Sequence, residues 1–84
     1  MELLWTNKAL SDLARHHEFL TAVNKLAAAR TIRALTAAPS SLLVNPRIGE
    51  RLEEFELREV RRIFVGRYEM RYEILASTIY LLRI

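Results

Sequence analysis

Apolar and polar positions repeat along this chain with two different periods, and the change of period divides it. Glu2-Leu3-Leu4-Trp5-Thr6 is short, apolar and aromatic, which predicts a first strand. From Lys8 the spacing turns helical. Leu10, Leu13, Ala14, His17 and Leu20 fall on one face, with Lys8, Asp12 and Arg15 elsewhere. Thr6 or Asn7 caps this helix, because either side chain can accept a bond from a free backbone N–H, and the helix ends near Leu20 or Thr21. Asp12 and His16, four residues apart, are placed to pair on its surface. Asn24 is the next cap. Lys25 to Ala38 is rich in Ala and free of Gly; Ala28, Ile32 and Leu35 form a narrow apolar seam, with Lys25, Arg30 and Arg33 off it. Two amphipathic helices joined by a few residues read as an antiparallel hairpin.

Pro39 cannot continue a helix without losing a hydrogen bond and clashing with the preceding turn. Either the helix kinks there or a separate short turn covers Ser40 to Leu43, before the loop Asn45-Pro46-Arg47-Ile48-Gly49. The remainder is strand-like. Leu52 to Phe55 is a short strand or an extended lead-in; Val60 to Val65 mixes apolar and basic residues. Tyr68, Met70, Tyr72 and Ile74 alternate with Glu69, Arg71 and Glu73 at a period of two. Gly66-Arg67 is a hairpin turn, Ser77-Thr78 another, and Ile79 to Ile84 the last strand. The expected class is α+β over a single domain, residues 1–84: an N-terminal strand, an antiparallel helical hairpin, then a three- to four-stranded antiparallel meander with the helices on one face. Leu10, Leu13, Ile32, Leu35, Ile63, Tyr72 and Leu82 are the expected core.

Length limits what such a chain can do. A domain of 84 residues buries only roughly 60–65% of its unfolded surface, so function is expected on an exposed face or in a shallow groove. There is no Cys, which removes disulfides, thiolate chemistry and Cys-bound metal. No apolar run reaches membrane-spanning length and no signal peptide opens the sequence, so a cytoplasmic protein without a membrane partner is expected. The net charge of +3 is mild, and its placement matters more than its size.

Candidate chemistry is sparse. His16 and His17 are adjacent and point about 100° apart on a helix, so they cannot form a ligand pair; no metal is expected. His17, on the apolar seam, reads as a core-edge histidine. The only glycines are Gly49 and Gly66, so there is no phosphate-binding loop, and no cofactor is expected. Glu50, Glu53, Glu54, Glu56 and Glu59 read as a solvated run or as the source of a general base. Every basic residue after Lys25 is Arg. Arg58, Arg61, Arg62, Arg67, Arg71 and Arg83 suit a surface that recognises phosphate or carboxylate; the other reading is charge that protects a strand edge from pairing. Tyr68, Tyr72 and Tyr80 interleave with them, either for base stacking or as core-edge packing.

Taken in order, these features resemble the RelE/ParE superfamily of type II toxins across essentially the whole chain. The resemblance rests on Trp5-Thr6, Ala9, Asp12-Leu13, Ala27-Ala28, Pro46-Arg47-Ile48-Gly49, the stretch Arg61 to Tyr72 with an Arg before its turn and a Tyr after, and Ile79 to Ile84. It implies a cognate antitoxin that wraps the toxin with a helix and an extended segment in a hetero-oligomer, with Leu20, Ile32 and Leu35 as candidate contacts. Arg61, Arg62, Arg67, Arg71, Arg83 and Tyr68 are the candidates for target binding or toxicity; Arg61, Arg62 and Arg83 match the family's basic positions near the sheet, and at least one of these three is expected to be needed for toxicity. RelE-like members cut messenger RNA on the ribosome without metal; ParE-like members poison DNA gyrase. Metal-free RNA cleavage needs a base, an acid and cations for the phosphate. No His follows Gly49 to act as the acid, and the nuclease pattern's His, Tyr or basic residue beyond the last strand has no counterpart before Ile84. DNA gyrase is therefore the expected target, with the ribosome and mRNA as the alternative and a non-toxic protein-binding module as the third.

Overall fold

A computed structural model describes residues 1–84. Strand β1 (Glu2–Trp5) is followed by helices α1 (Asn7–Val23) and α2 (Lys25–Ala37), a 3-10 turn (Ala38–Ser40) and the short helix α3 (Ser41–Val44). Strands β2 (Glu50–Arg51), β3 (Glu59–Val65), β4 (Tyr68–Leu75) and β5 (Thr78–Arg83) complete the chain. The sheet order is β1-β5-β4-β3-β2. The last four strands form the expected meander, but β1 lies parallel to β5, with Leu3 opposite Ile79 and Trp5 opposite Leu81, so the sheet is mixed. Parallel neighbours need a long crossover. Here everything between β1 and β5 supplies it.

Local signals explain most boundaries. Thr6 caps α1: its hydroxyl accepts from the Ala9 N–H (3.2 Å) and donates to the Leu81 carbonyl (2.6 Å), so one side chain starts the helix and ties it to the sheet. Thr6→Ala is expected to lower stability by about 1–2 kcal/mol in urea unfolding, with Thr6→Ser restoring most of it. Asn24 ends α1, later than expected, and its side chain caps α2 through the Ala27 N–H (3.0 Å). Pro39 opens a separate turn rather than a kink and is buried. Gly66, at φ 61°, opens the β3–β4 turn, while Ala76, at φ 54°, holds a left-handed conformation between β4 and β5, so this second turn is Ala76-Ser77 and Thr78 already belongs to the strand. Leu52 to Phe55 is neither strand nor extended lead-in; it folds into turns, with Phe55 N–H bonded to the Leu52 carbonyl (3.3 Å).

The core is Ala9, Leu35, Leu42, Met70, Tyr72, Ile74, Ile79 and Leu81, flanked by half-buried Leu3, Trp5, Leu13, Ile32 and Ile63. Two expected members differ. Leu10 is 48% exposed, because the buried seam of α1 runs through Ala9, Asp12 and half-buried Leu13, His16 and Leu20. A carboxylate occupies a core position there, and reading polarity alone shifts the helix by one residue. His17 is correspondingly exposed and contacts Thr21, while Asp12 does not pair with His16. Leu82 is only half-buried; Ile79 and Leu81 share the helix-facing side of β5 with Tyr72 and Ile74, leaving Leu82 and Tyr80 on the other.

Candidate interaction site

Strand alternation separates the arginines before any chemistry is considered. Directly paired residues of antiparallel strands share a face. Arg61, opposite Tyr72, therefore lies on the helix side, whereas Arg62, opposite Arg71 and Glu50, lies on the open side with Phe64 and Glu69. Arg61 and Arg62 are not one site. Arg61 Nη1 donates to the Gly49 carbonyl (2.7 Å) and Nε to Glu59 Oε2 (2.9 Å), which pins the loop before β2. Arg83 also turns to the helix side. Its guanidinium binds Asp12 at both oxygens (2.7 and 3.0 Å), and the Asp12 side chain is 2% exposed.

On the open face the charges form a row. Arg62 bonds Glu50 (2.8 Å) and Glu69 (3.0 Å), with its guanidinium carbon 5.3 Å from the Phe64 ring centre. Arg71 holds the other Glu69 oxygen, and Arg58 grips Glu73 with two bonds (2.8 and 3.0 Å). The Arg71 hydrogen bond holds the Glu69 carboxyl below the usual range; Arg58 does the same for Glu73, and Arg47 for Glu59. Of the sequence candidates, Arg61, Arg62, Arg71 and Arg83 thus each carry a carboxylate partner. Arg67, exposed in the β3–β4 turn, carries none. Tyr68 lies on the helix side, in edge-to-face contact with His16 (4.8 Å between ring centres), whose Nε2 is 3.1 Å from the Ile84 carbonyl. The fold thereby brings a histidine from α1 to the end of β5, a meeting that sequence spacing did not foretell.

The surface left for a partner is apolar. A shallow groove of about 830 Å³ runs between Ala34, Ala37 and Ala38 on one wall and Ile63, Phe64 and Val65 on the other, with Ile48 and Gly49 at one end. A second, of about 420 Å³, lies between Phe19, Leu20, Thr31 and the β3–β4 turn at Arg67. Ala34 and Val65 border both. Of the expected partner contacts, Leu20 lines the second groove. Leu35, fully buried, forms part of its floor and cannot offer a free side chain, and Ile32 packs into the core. Phe19 (70% exposed) and Ile48 (63%) are the large exposed side chains along it; Phe64 (64%) borders it at the strand edge but points to the open face. The alanines of α2 are the sequence signal for this groove, since small residues leave room beside a helix.

No group of His, Asp and Glu is arranged to hold a metal ion, and no helix is long and apolar enough to cross a membrane. The family model described as the ParE toxin of the type II toxin–antitoxin system parDE matches residues 3–84. A solved structure titled "Chromosomal ParDE TA system from P. aeruginosa" is similar over 100% of this chain and 92% of that one, at 22% identity and a TM-score of 0.82, a likeness of fold. No curated protein sequence matches. With the match spanning nearly every residue, the chain belongs to the ParE toxin family of type II toxin–antitoxin systems.

Proposed function

We propose that this ParE-type toxin acts in the cytoplasm by binding DNA gyrase without itself catalysing a reaction, and that a cognate antitoxin neutralises it by covering the α2–β3 groove. The observation that carries the mode of action is the pairing of the sheet arginines. A nuclease of this fold has to present free cations to a phosphate beside a group that moves a proton. Here Arg61, Arg62, Arg71 and Arg83 each hold a carboxylate, and those carboxylates would repel a phosphate brought to the same place. A toxin that traps an enzyme needs only a complementary surface. The open-face row of Arg62 and Arg71, with Arg67 in the adjoining turn, remains the proposed target contact; Tyr68, on the helix side against His16, stands apart from it.

The second reading, a ribosome-dependent ribonuclease, draws on one observation: His16 and Tyr68 touch near Arg83. In that cluster Arg83 is committed to Asp12 and His16 Nε2 to the Ile84 carbonyl, which favours a structural role. The antitoxin reading is supported by the family and by the similar structure, whose title names a ParDE system. The test adds purified toxin separately to a gyrase supercoiling reaction and to translating ribosomes. Inhibited supercoiling with intact messenger is expected. Codon-specific messenger cleavage with normal supercoiling, lost in His16→Ala, would establish the second reading instead.

A further inference from the structure

The two edges of the sheet are unlike. One ends in β2 and the outer side of β3, where Glu50, Arg51, Arg61 and Arg62 crowd charge along the strands. The other is β1, whose only charged side chain is Glu2. Free N–H and C=O groups on an edge strand template pairing with another chain, and edges are commonly guarded by Lys, Pro or a bulge. β1 has none of these. Its inward bonds show which groups are free. The Glu2 N–H donates to the Ser77 carbonyl (2.9 Å) and the Thr6 N–H to the Leu81 carbonyl (3.1 Å), so the even-numbered residues face β5. Leu3 and Trp5 therefore turn their N–H and C=O away from the sheet, where no strand meets them.

The open face beside this edge is apolar. Leu4 stands opposite Tyr80 on that face, with Leu82 farther along β5; Leu4 is 46% exposed and the other two are half-buried. Toward β3 the same face is taken over by the ion pairs of Arg58 with Glu73 and of Arg62 and Arg71 with Glu69. The apolar part of the face thus adjoins the unguarded edge. On the helix side of β1, Leu3 and Trp5 pack against the core.

We infer that the β1 edge pairs with the β1 edge of a second copy, joining two five-stranded sheets into one. Two identical strands become equivalent when they run antiparallel about a two-fold axis. Opposed residues share a face, so their numbers differ by an even number, and outward backbone groups must meet outward ones. The register centred on Leu3 would set Trp5 against Met1, outside the strand. The register centred on Leu4 uses the whole strand. It puts Leu4 opposite Leu4 of the second copy, Glu2 opposite its Thr6, and Leu3 opposite its Trp5, and each Leu3–Trp5 pair exchanges both backbone bonds. Charge agrees with this register. The chain carries +3, which opposes self-association wherever like charges meet. Here Glu2 reaches the start of the second copy's α1, whose first turn contains Lys8 and no acid. The β3 groove lies toward the opposite edge of the sheet, so this pairing depends on neither the gyrase nor the antitoxin reading.

The test is sedimentation equilibrium of the purified toxin across a concentration series, with the parent, Leu4→Lys, Leu4→Glu and an equal mixture of the two variants. Leu4 sits on the axis, so each variant alone sets like charges directly opposite each other, while the mixture sets opposite charges there. The side chain is exposed, so both variants should fold, which circular dichroism checks. The expected result is a parent dimer, about tenfold weaker self-association in each variant alone, and recovery in the mixture. Hydrogen exchange reads the pairing without any substitution. The Leu3 and Trp5 amides should slow as the parent's concentration rises, while the Thr6 amide, already bonded to Leu81, should not change. A parent that stays monomeric at every concentration, with those two amides unprotected, would overturn the inference. So would a dimer that both variants keep, or one whose loss the mixture does not reverse. Protection of Leu3 and Trp5 only when the polypeptide from the adjacent reading frame is added would give the edge to that partner and overturn pairing between copies.

Discussion

Asp12→Ala is expected to destabilise the toxin by about 2–4 kcal/mol, because it leaves Arg83 and a backbone N–H without their shared, buried acceptor. The Asp12 carboxylate takes bonds from Arg83, from Arg15 Nη2 (2.6 Å) and from the Ile84 N–H (3.0 Å), so it fastens the end of β5 to the middle of α1. The estimate sits below the upper limit for a fully buried pair because the Arg83 and Arg15 side chains are 52% and 60% exposed. Asp12→Asn, which keeps the shape and one acceptor, should cost less. The Arg83 hydrogen bond holds the Asp12 carboxyl well below its ordinary range, against the opposing effect of burial. A carboxyl depressed in the folded state contributes fully above its unfolded pKa of about 3.9, and that contribution is lost as pH falls further. Urea midpoints measured from pH 7 down to pH 2 should therefore converge for the parent and Asp12→Ala. A gap that stays constant across that range would show that the charge on Asp12 is not what holds β5.

The same residue marks where a reading of the sequence fails. In α1 the polarity of Asp12 argues for the surface, and that reading draws the seam toward Leu10, Ala14 and His17, while Leu13 and Leu20 lie on the buried side as expected. Two arginines and a backbone N–H, all but one remote in sequence, make burial of that acid possible, and no local pattern announces them. β4 was legible because alternation over Tyr68 to Leu75 is a local property, and Met70, Tyr72 and Ile74 are buried as it requires. The roles of the arginines were not legible in the same way. Arg62 meets Glu50 and Glu69 only once the strand registers are set, and Arg61 faces the other way for the same reason. The groove was only half legible: the alanines of α2 mark one wall, but the pairing β3 lacks beyond Arg62 leaves no trace in composition.

Gly49→Ala is the second large effect expected, a loss of about 2–3 kcal/mol. A Cβ at this position would stand 2.6 Å from both the Arg62 carbonyl oxygen and the Tyr72 hydroxyl, and 2.9 Å from Tyr72 Cε1. The Tyr72 ring is fully buried and the Arg62 carbonyl is part of β3, so neither yields without moving the sheet. The contact is close because Tyr72 Oη organises the loop, accepting from the Gly49 N–H (3.1 Å) and donating to the Pro46 carbonyl (2.7 Å). Tyr72→Phe alone should cost about 1–2 kcal/mol through those two bonds. The two changes are coupled, since removing the hydroxyl also removes one of the atoms that the new methyl group meets. Equilibrium urea unfolding of both single variants and the double should show the double less destabilised than the sum. Strict additivity would mean that the loop and Tyr72 do not press on each other. Ile48 and Gly49 form one end of the groove, so Gly49→Ala should also weaken whatever binds there.

The parallel pairing of β1 with β5 carries a consequence for biosynthesis. β1 has its only neighbour within the chain in β5, more than 70 residues later. Until residues 78 to 83 emerge, β1 has no partner, the Thr6 hydroxyl has no Leu81 carbonyl to bond, and Asp12 has no Arg83. The interior strand that joins β1 to the meander is absent from every shorter nascent chain. Contacts this distant in sequence are slow to form, because loop closure precedes any gain from them. Completion of the sheet therefore waits for β5, and the contacts that fasten α1 to the sheet are among the last to form.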